Sequence, residues 1–564
     1  MNLVFLHKET REYAYPLSRR EVFLKLECPI PAAYSVNVIY WKRFRQATRK
    51  SKAMSPFILG GENRYFAASI GFGDTIRYFQ YVFEIAIGGR KYYFSPEGVG
   101  SEFPKKFFEF EGVLPDDVFT SPEAFQGNVG YHIFPDRFFD GDPSNDPASK
   151  VSWDAEPTRD NFFGGDLKGI EEKVPYLKDL GVNTLFLTPI FEAKSNHKYD
   201  TVDYFKIDPS FGTIDDFHQF VQTLHQNGMK LVLDGVFNHI GFYSRQFQDA
   251  LKFGKKSPFW NWFFIQGERI DTEKVNYECV GDYKWMPKLN TSNPNTQDYL
   301  VSVALYWLLQ GADGWRLDVG DELAASFRRK LRQEIKRGYP NALILAETWH
   351  DGEDLLRGDQ ADTLMNYRLR DALIGLIAAK EIDKTGFEDR ISALYFDYQK
   401  ASHGVLYNLI DSHDTERFLT TVHGDKRLLK LAAAFQFLLP GMPVVFYGDE
   451  IGMDGGNDPS CRAGMKWGSI DRDLLSFYKN LACLKNGHEA LKTGDFAFVK
   501  TSGKTIAFLR KSEKETVLVA INPSAENEMV TIATADETVL KKAGPLSLEV
   551  APFGYRAEIL SDIG

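Results

Sequence analysis

The stretch GWRLDVGDE, residues 314–322, places an arginine and an aspartate two positions apart inside an apolar run. Side chains two positions apart on a strand lie on the same face, so Arg316 and Asp318 share one face. Burying a charge is costly unless an opposite charge compensates it. We therefore expect a buried strand whose paired charges serve a functional purpose.

The chain around this strand repeats a unit of one helix followed by one strand. Apolar residues at helical spacing, with a polar residue before them and a glycine after them, predict four helices. Asp166 and Asp216 are the predicted caps of the first two helices. Strands that alternate with helices indicate a parallel sheet.

Eight strands are predicted in the middle of the chain. Eight parallel strands close into a (β/α)8 TIM barrel, so this is the expected fold class, α/β. The predicted strands are residues 129–134, 182–190, 230–234, 315–319, 342–345, 363–367, 405–410 and 443–447.

The two ends of the chain differ from the middle because they contain strands without helices between them. We predict an N-terminal β-sandwich at 1–122, the barrel at 123–487 with a long loop subdomain at about 238–292, and a C-terminal antiparallel β-sandwich at 488–564. The predicted strands are 22–26, 34–41 and 78–87 in the first module, and 505–510, 516–521, 546–550 and 555–560 in the last.

Composition narrows the function classes. A net charge of −10 argues against nucleic acid as a partner, which needs a basic surface. No apolar run is long enough to cross a membrane, and the four cysteines are scattered without a CxxC pair, so we expect a cytoplasmic protein with reduced cysteines. The 14% aromatic content suits either sugar stacking or aromatic-rich cores.

Acidic and histidine residues follow four of the predicted strands. Catalytic groups of a TIM barrel lie at the carboxyl ends of its strands, so these residues are expected to converge. Convergent carboxylates suit hydrolysis of a glycosidic bond, in which one is an ionised nucleophile and another a protonated acid. Arg316 would keep Asp318 ionised, and a drier environment would raise the pKa of the acid. The residues are Asp234, His239, Arg316, Asp318, Glu347, His413 and Asp414.

These residues lie in four segments, 234–239, 314–318, 347 and 413–414. The four segments resemble the motif regions of the α-amylase family, family 13 of the glycoside hydrolases. The resemblance implies that Asp318 is the nucleophile, Glu347 the acid/base and Asp414 the transition-state stabiliser. It also implies a retaining mechanism, for which the carboxylates of Asp318 and Glu347 should lie about 5–5.5 Å apart.

The resemblance further implies a set of substrate-binding residues. Asp234 would support the site, His239 and His413 would bind sugar hydroxyls, and Tyr199 would form a stacking platform, or else pack on the core as a loop aromatic. Trp349 would line the acceptor side, or else pack on a helix. Asp458 and Arg462 resemble a further binding segment, although the family's usual second arginine is absent. The full set is Tyr199, Asp234, His239, Arg316, Trp349, His413, Asp458 and Arg462.

Residues 286–290, MPKLN, resemble the fifth region of the neopullulanase, cyclomaltodextrinase and maltogenic amylase subgroup. The N-terminal β-sandwich resembles that subgroup's starch-binding-like module, which often builds a homodimer and narrows the active site of the partner. The resemblance therefore implies a homodimer that acts on cyclodextrins, maltooligosaccharides and pullulan. Residues 318–322, DVGDE, differ from the sequence that is usual in the subgroup. The preference between α-1,4 and α-1,6 bonds therefore stays open.

The loop FDGDPSND, residues 139–146, is rich in the oxygen ligands that Ca²⁺ prefers. It resembles the subgroup's structural calcium loop; the alternative is an Asx-rich turn without a metal. The implied calcium ligands are Asp140, Asp142, Asn145, Asp146, Gly164 and Asp166.

Two other functions remain open. A transglycosylase would pass the same covalent intermediate to a sugar instead of water. A non-catalytic glucan-binding protein would be expected to lack one of the acids, whereas Asp318, Glu347 and Asp414 are all present.

Overall fold

A computed structural model describes residues 4–28, 35–57, 65–532 and 546–560. The strand predicted at 34–41 runs from Ser35 to Lys42, and Tyr34 lies outside the described residues. Within the described ranges no helix is both long enough and apolar enough to cross a membrane.

The N-terminal module is an antiparallel β structure, as predicted. Lys50–Pro56 pairs with Ser35–Lys42 along most of its length and with Tyr65–Gly71 at its end, so it joins two halves of the sheet. Apolar side chains from both halves form one core, for example Leu24 and Phe83. The described strands are Ala14–Ser18, Glu21–Glu27, Ser35–Lys42, Lys50–Pro56, Tyr65–Gly71, Phe79–Ile87, Arg90–Ser95, Gly98–Gly100 and Phe108–Phe110.

The middle of the chain forms the predicted barrel. Eight parallel strands pair in sequence order, the first strand pairs with the eighth, and the seventh pairs with the eighth. A parallel bridge between Met365 and Tyr407 joins the sixth strand to the seventh and closes the ring. The barrel strands are Gly130–Ile133, Thr184–Leu187, Lys230–Gly235, Gly314–Leu317, Leu343–Ala346, Thr363–Leu364, Tyr407–Asn408 and Met442–Phe446.

Two helix predictions were wrong in detail. The cap of the second predicted helix is Thr213, which accepts a hydrogen bond from the backbone of Asp216, and the Asp216 carboxylate accepts one back from the backbone of Thr213. This reciprocal capping box explains why a polar residue three positions inside the helix looked like its cap. The first predicted helix is two helices that meet at Lys173, because Pro175 has no N–H and fits only the first turn of a new helix.

Helices surround the barrel strands on the outside. The long loop subdomain after the third strand holds the helix Arg245–Phe253 and the short strands Cys279–Val280 and Tyr283–Pro287, and Phe191–Ala193 pairs with Thr201–Ile207 after the second strand. The other α-helices are Leu167–Glu172, Val174–Leu180, Ile214–Gln226, Pro294–Leu309, Ala325–Gly338, Tyr367–Leu373, Lys384–Asp397, Lys400–His403, Phe418–Thr421, Lys426–Leu438, Arg472–Gly487 and Glu489–Thr493.

The C-terminal module is antiparallel, as predicted, and contains two further strands, Asp495–Val499 and Glu528–Ile532. A four-stranded sheet comprises Asp495–Val499, Ile506–Lys511, Thr516–Ile521 and Tyr555–Leu560. Glu528–Ile532 pairs with Leu546–Val550.

Candidate active site

Arg316 lies at the centre of three buried carboxylates at the carboxyl ends of the barrel strands. Its Nη1 donates hydrogen bonds to Oδ2 of Asp234 at 2.8 Å and to Oδ1 of Asp318 at 2.9 Å. Its Nη2 forms an ion pair with Oε2 of Glu347 at 2.8 Å. The strand Gly314–Leu317 therefore buries an arginine because that arginine gathers acids from three strands around one charge.

One guanidinium cannot balance three ionised acids that are all buried. Burial raises the pKa of Asp234 to about 6, and it raises the pKa of Asp318 well above the usual range, with Glu347 and Asp234 adding to the effect. The pKa of Glu347 is also raised, chiefly by burial. The raised pKa of Glu347 agrees with a proton-donating role. The expectation that Arg316 would hold the pKa of Asp318 low is wrong, because Arg316 is shared with Asp234 and Glu347 and burial of Asp318 outweighs its charge.

The backbone of Val319 orients Glu347. Its N–H donates to Oε2 of Glu347 at 2.9 Å. Val319 has φ +45°, a left-handed conformation that is costly for a β-branched residue and is found mainly at functional sites. No sequence signal marks this residue, because its side chain takes no part in the contact.

Asp414 lies between a histidine and an arginine. Nε2 of His413 is 3.0 Å from Oδ2 of Asp414, and Nη2 of Arg462 donates to Oδ1 of Asp414 at 3.0 Å. Arg462 also forms an ion pair with Asp458 at 2.9 Å. The two residues of the predicted further binding segment therefore lie beside Asp414, although they contact each other as well.

Tyr199 joins two of the predicted site residues. Its hydroxyl is 2.6 Å from Nε2 of His413 and donates to Oδ2 of Asp234 at 3.0 Å. Its ring is nearly parallel to that of His413, at an angle of 10° and a centroid distance of 5.5 Å. Tyr199 is therefore part of the polar site and not only a core aromatic.

His239 and His413 are buried, neutral imidazoles. Burial lowers the pKa of His239 to about 3 and lowers that of His413 well below its usual value. Both nitrogens of His239 and Nδ1 of His413 have no hydrogen-bond partner among the described residues, and Nδ1 of His239 is 3.8 Å from Asp318. Unpaired polar atoms around a carboxylate suit the hydroxyls of a bound sugar.

Aromatic rings lie exposed beside these polar groups. Trp349 is 51% exposed and stacks on Tyr367 with a centroid distance of 4.0 Å. Tyr243 and Trp285, also half-exposed, lie at 13° to each other and line a cavity of about 370 Å³ with His197. Trp349 was predicted, whereas the other aromatics were not.

Two histidines of the site were missed from the sequence. His132 lies on the first barrel strand, and its Nδ1 shares a hydrogen bond of 2.9 Å with the hydroxyl of Tyr407. The centroid of its ring lies 5.2 Å from that of His413. Nδ1 of His197 accepts from the backbone of Tyr199 at 3.1 Å. His132 lies near the carboxyl end of the first barrel strand and His197 lies in the loop after the second, so position in the barrel was the signal that could have found them.

The predicted calcium loop presents oxygens of two kinds. Buried Oδ1 atoms of Asp140, Asn145 and Asp146 have no hydrogen-bond partner among the described residues. A Cβ at Gly164 would clash with Oδ1 of Asp146, so only glycine allows this approach. These unpaired oxygens fit a hard cation.

Asp166 and Asp142 already have hydrogen-bond partners. Asp166 caps the helix Leu167–Glu172 and also accepts from the backbone of Asp142 at 2.8 Å, while Asp142 accepts from Ser144 at 2.7 Å. Within the described part of the chain, no group of three Asp, Glu, His or Cys side chains is arranged to hold a metal ion. Instead, Nζ of Lys150 contacts a carboxylate oxygen of Asp140.

Comparison with known proteins shows the family of this chain. A family model described as the catalytic domain of alpha-amylase matches residues 132–480. A cyclomaltodextrinase from Thermoanaerobacter pseudethanolicus is 40% identical over 549 residues, which cover 95% of each chain. Neopullulanase 2 from Thermoactinomyces vulgaris is 38% identical over 572 residues, which cover 97% of each chain.

A solved structure of a cyclomaltodextrinase superposes with a TM-score of 0.90 at 34% identity, and the match covers 98% of this chain and 99% of that one. The sequence and the fold of this chain both agree with these relatives. The chain belongs to the α-amylase family of glycoside hydrolases.

Proposed function

We propose that this protein is a retaining α-glycosidase that hydrolyses cyclodextrins, maltooligosaccharides and pullulan at α-1,4 bonds, and at α-1,6 bonds where pullulan offers them. The observation that carries the proposal is the contact of Arg316 with both Asp318 and Glu347 at the strand ends. Both groups needed for a double displacement thus meet in one buried place.

The proposed reaction has two steps. In the first, a carboxylate oxygen of Asp318 attacks the anomeric carbon while Glu347 gives its proton to the leaving oxygen. In the second, Glu347 takes a proton from water, and that water displaces Asp318. Asp414, beside Arg462, stabilises the positive charge that develops on the sugar ring.

The proposed substrates follow from two observations. Exposed rings of Trp349, Tyr243 and Trp285 border the polar site and offer apolar faces to sugar rings. Similar proteins are named cyclomaltodextrinase and neopullulanase 2. Because these relatives are named for hydrolysis, we propose water as the main acceptor, and transfer to a sugar is the second candidate.

The test is product analysis on β-cyclodextrin, maltotriose, pullulan and soluble starch in parallel, with Asp318→Asn as control. We expect β-cyclodextrin to be cleaved faster than starch, and no cleavage by the variant. Faster cleavage of starch would contradict the proposed substrate class. Products longer than the maltotriose supplied would instead favour the transglycosylase.

We further propose that the protein is a cytoplasmic homodimer that associates through its N-terminal module. Phe44 is 91% exposed, Tyr78 is half-exposed, and the guanidinium of Arg43 lies 5.2 Å and 5.6 Å from their ring centroids. This exposed aromatic patch suits a protein interface. The described cysteines are unpaired, which suits a reducing compartment.

Sedimentation velocity tests the dimer. We expect the wild type to sediment as a dimer at micromolar concentration and Phe44→Asp to sediment as a monomer. Leu309→Asp, at an exposed apolar position of the barrel, is the control and should remain dimeric. A monomeric wild type would contradict the proposal.

A structural calcium ion is proposed for the loop around residues 140–146. Asp140, Asn145 and Asp146 would hold it through their unpaired oxygens, together with the carbonyl of Gly164, and Asp142 and Asp166 would border it. When bound, the ion would supply positive charge that ties the loop together, and the proposed reaction needs no metal.

A further inference from the structure

Lys150 is fixed in place beside the proposed calcium ligands. Its Nζ contacts Oδ2 of Asp140 and lies 2.7 Å from Oδ2 of Asp146. Its backbone N–H donates to Pro147 at 2.9 Å, and the residue forms a parallel bridge with Phe162. The aliphatic part of the side chain packs on Gly164, where an added Cβ would come within 3.0 Å of Cδ and Cε. Lys150 is therefore held by backbone and side-chain contacts, unlike a free surface lysine.

The ammonium group meets the same two carboxylates that would meet the metal. Asp140 and Asp146 each use Oδ2 for Lys150 and keep Oδ1 without a partner among the described residues. An ammonium is a compact positive charge with three N–H donors, so it can neutralise part of the charge of such a pair. It also repels a second cation placed a few ångströms away.

We propose that Lys150 is a built-in counter-ion of this loop, which holds Asp140 and Asp146 together without a metal and lowers the affinity of the loop for Ca²⁺. The claim about calcium affinity rests on the calcium site proposed above. The folded state then depends only weakly on calcium. Removal of the ammonium leaves the two carboxylates dependent on the metal.

The test compares wild type, Lys150→Met and Lys168→Met. Methionine keeps the length of the side chain and removes its charge. Lys168 is an exposed lysine whose charge acts on Asp142 of the same loop, which makes it the matched control. All three proteins are purified in calcium and then stripped with EDTA, so that a calcium-dependent variant can still fold. Tm is measured in EDTA and in CaCl₂, and calcium affinity is measured by calorimetry on the stripped proteins.

We expect the Tm of the wild type and of Lys168→Met to change little between EDTA and calcium. Lys150→Met should have a lower Tm in EDTA, recover it in calcium, and bind calcium at least about tenfold more tightly than the wild type. Equal affinity of Lys150→Met and wild type, or weaker binding by Lys150→Met, would overturn the inference and leave the calcium site standing. If none of the three proteins binds calcium, both the calcium site and the affinity claim are wrong. In that case a lower Tm of Lys150→Met than of Lys168→Met would still support the counter-ion role of Lys150, and equal Tm values would overturn it.

Discussion

Arg316 and Glu347 come from neighbouring barrel strands, and their side chains form an ion pair with 2.8 Å between Nη2 and Oε2. The same guanidinium holds Asp318 through Nη1. One buried charge therefore contacts both groups that we propose to act on the glycosidic bond. This shared contact links the stability of the barrel to the protonation of its site.

Loss of Arg316 should destabilise the folded protein strongly. Arg316→Met would leave Asp234, Asp318 and Glu347 buried without a cation, so we expect the free energy of unfolding to fall by about 3–5 kcal/mol in urea titrations. Arg329, which pairs with Asp359 on the surface, supplies the control, and Arg329→Met should change stability by less than about 0.5 kcal/mol. Equal effects of the two changes would show that the buried charge is not needed.

The two proposed catalytic groups should respond differently to the leaving group. α-Maltosyl fluoride carries a leaving group that needs no proton, so Glu347→Gln should cleave it while losing about 10²–10⁴-fold in kcat on maltotriose. Asp318→Asn should fail on both, because the nucleophile is needed in either case. Circular dichroism spectra would check that both variants are folded. Activity of Asp318→Asn on the fluoride would exclude Asp318 as the nucleophile.

The rate should depend on pH in a bell-shaped way. The pKa of Asp318 is raised, so its carboxylate takes up a proton, and activity falls, at a higher pH than for an ordinary aspartate. The pKa of Glu347 is raised too, so this acid retains its proton to a higher pH than an ordinary glutamate, and activity falls as the pH rises through that pKa. A profile of kcat/KM on maltotriose that stays flat down to pH 4 would contradict the raised pKa of Asp318.

The stacked ring of Trp349 should contribute to substrate binding. Trp349→Ala should lower kcat/KM by about 2- to 10-fold, which corresponds to the free energy of one aromatic contact. The indole also lowers the pKa of Glu347, against the larger effect of burial, so Trp349→Phe separates the two contributions. We expect the Phe variant to keep the wild-type KM and lose only kcat. If the KM of Trp349→Phe were as high as that of Trp349→Ala, stacking of the ring would not account for the contribution of Trp349 to substrate binding.

The barrel could be predicted because its elements are local. Helix periodicity, capping residues and apolar runs each depend on a few neighbouring residues, and the eight strands follow from them. The errors also have local causes, as at Thr213, where the capping box places an acid three positions inside the helix. The sixth and seventh strands are short, and Tyr367 begins a helix instead of ending a strand.

The sequence predicted those residues of the candidate site whose side chains take part in the proposed reaction. Asp318 and Glu347 were visible because acids and histidines follow four predicted strands whose carboxyl ends meet on one face of the barrel. The contact from Val319 could not be foreseen, because it depends on a backbone angle. The pairing of Lys150 with Asp140 was equally hidden, because the sequence shows a lysine nearby but not the direction of its ammonium.

The most direct test of the proposed mechanism is the anomeric form of the first product. Proton NMR would follow β-cyclodextrin during the first minutes, before mutarotation mixes the anomers. We expect the new reducing end to form as the α-anomer, because two displacements through Asp318 restore the original configuration. A β-anomer formed first would contradict the account, because it would require water, and not Asp318, to attack the sugar.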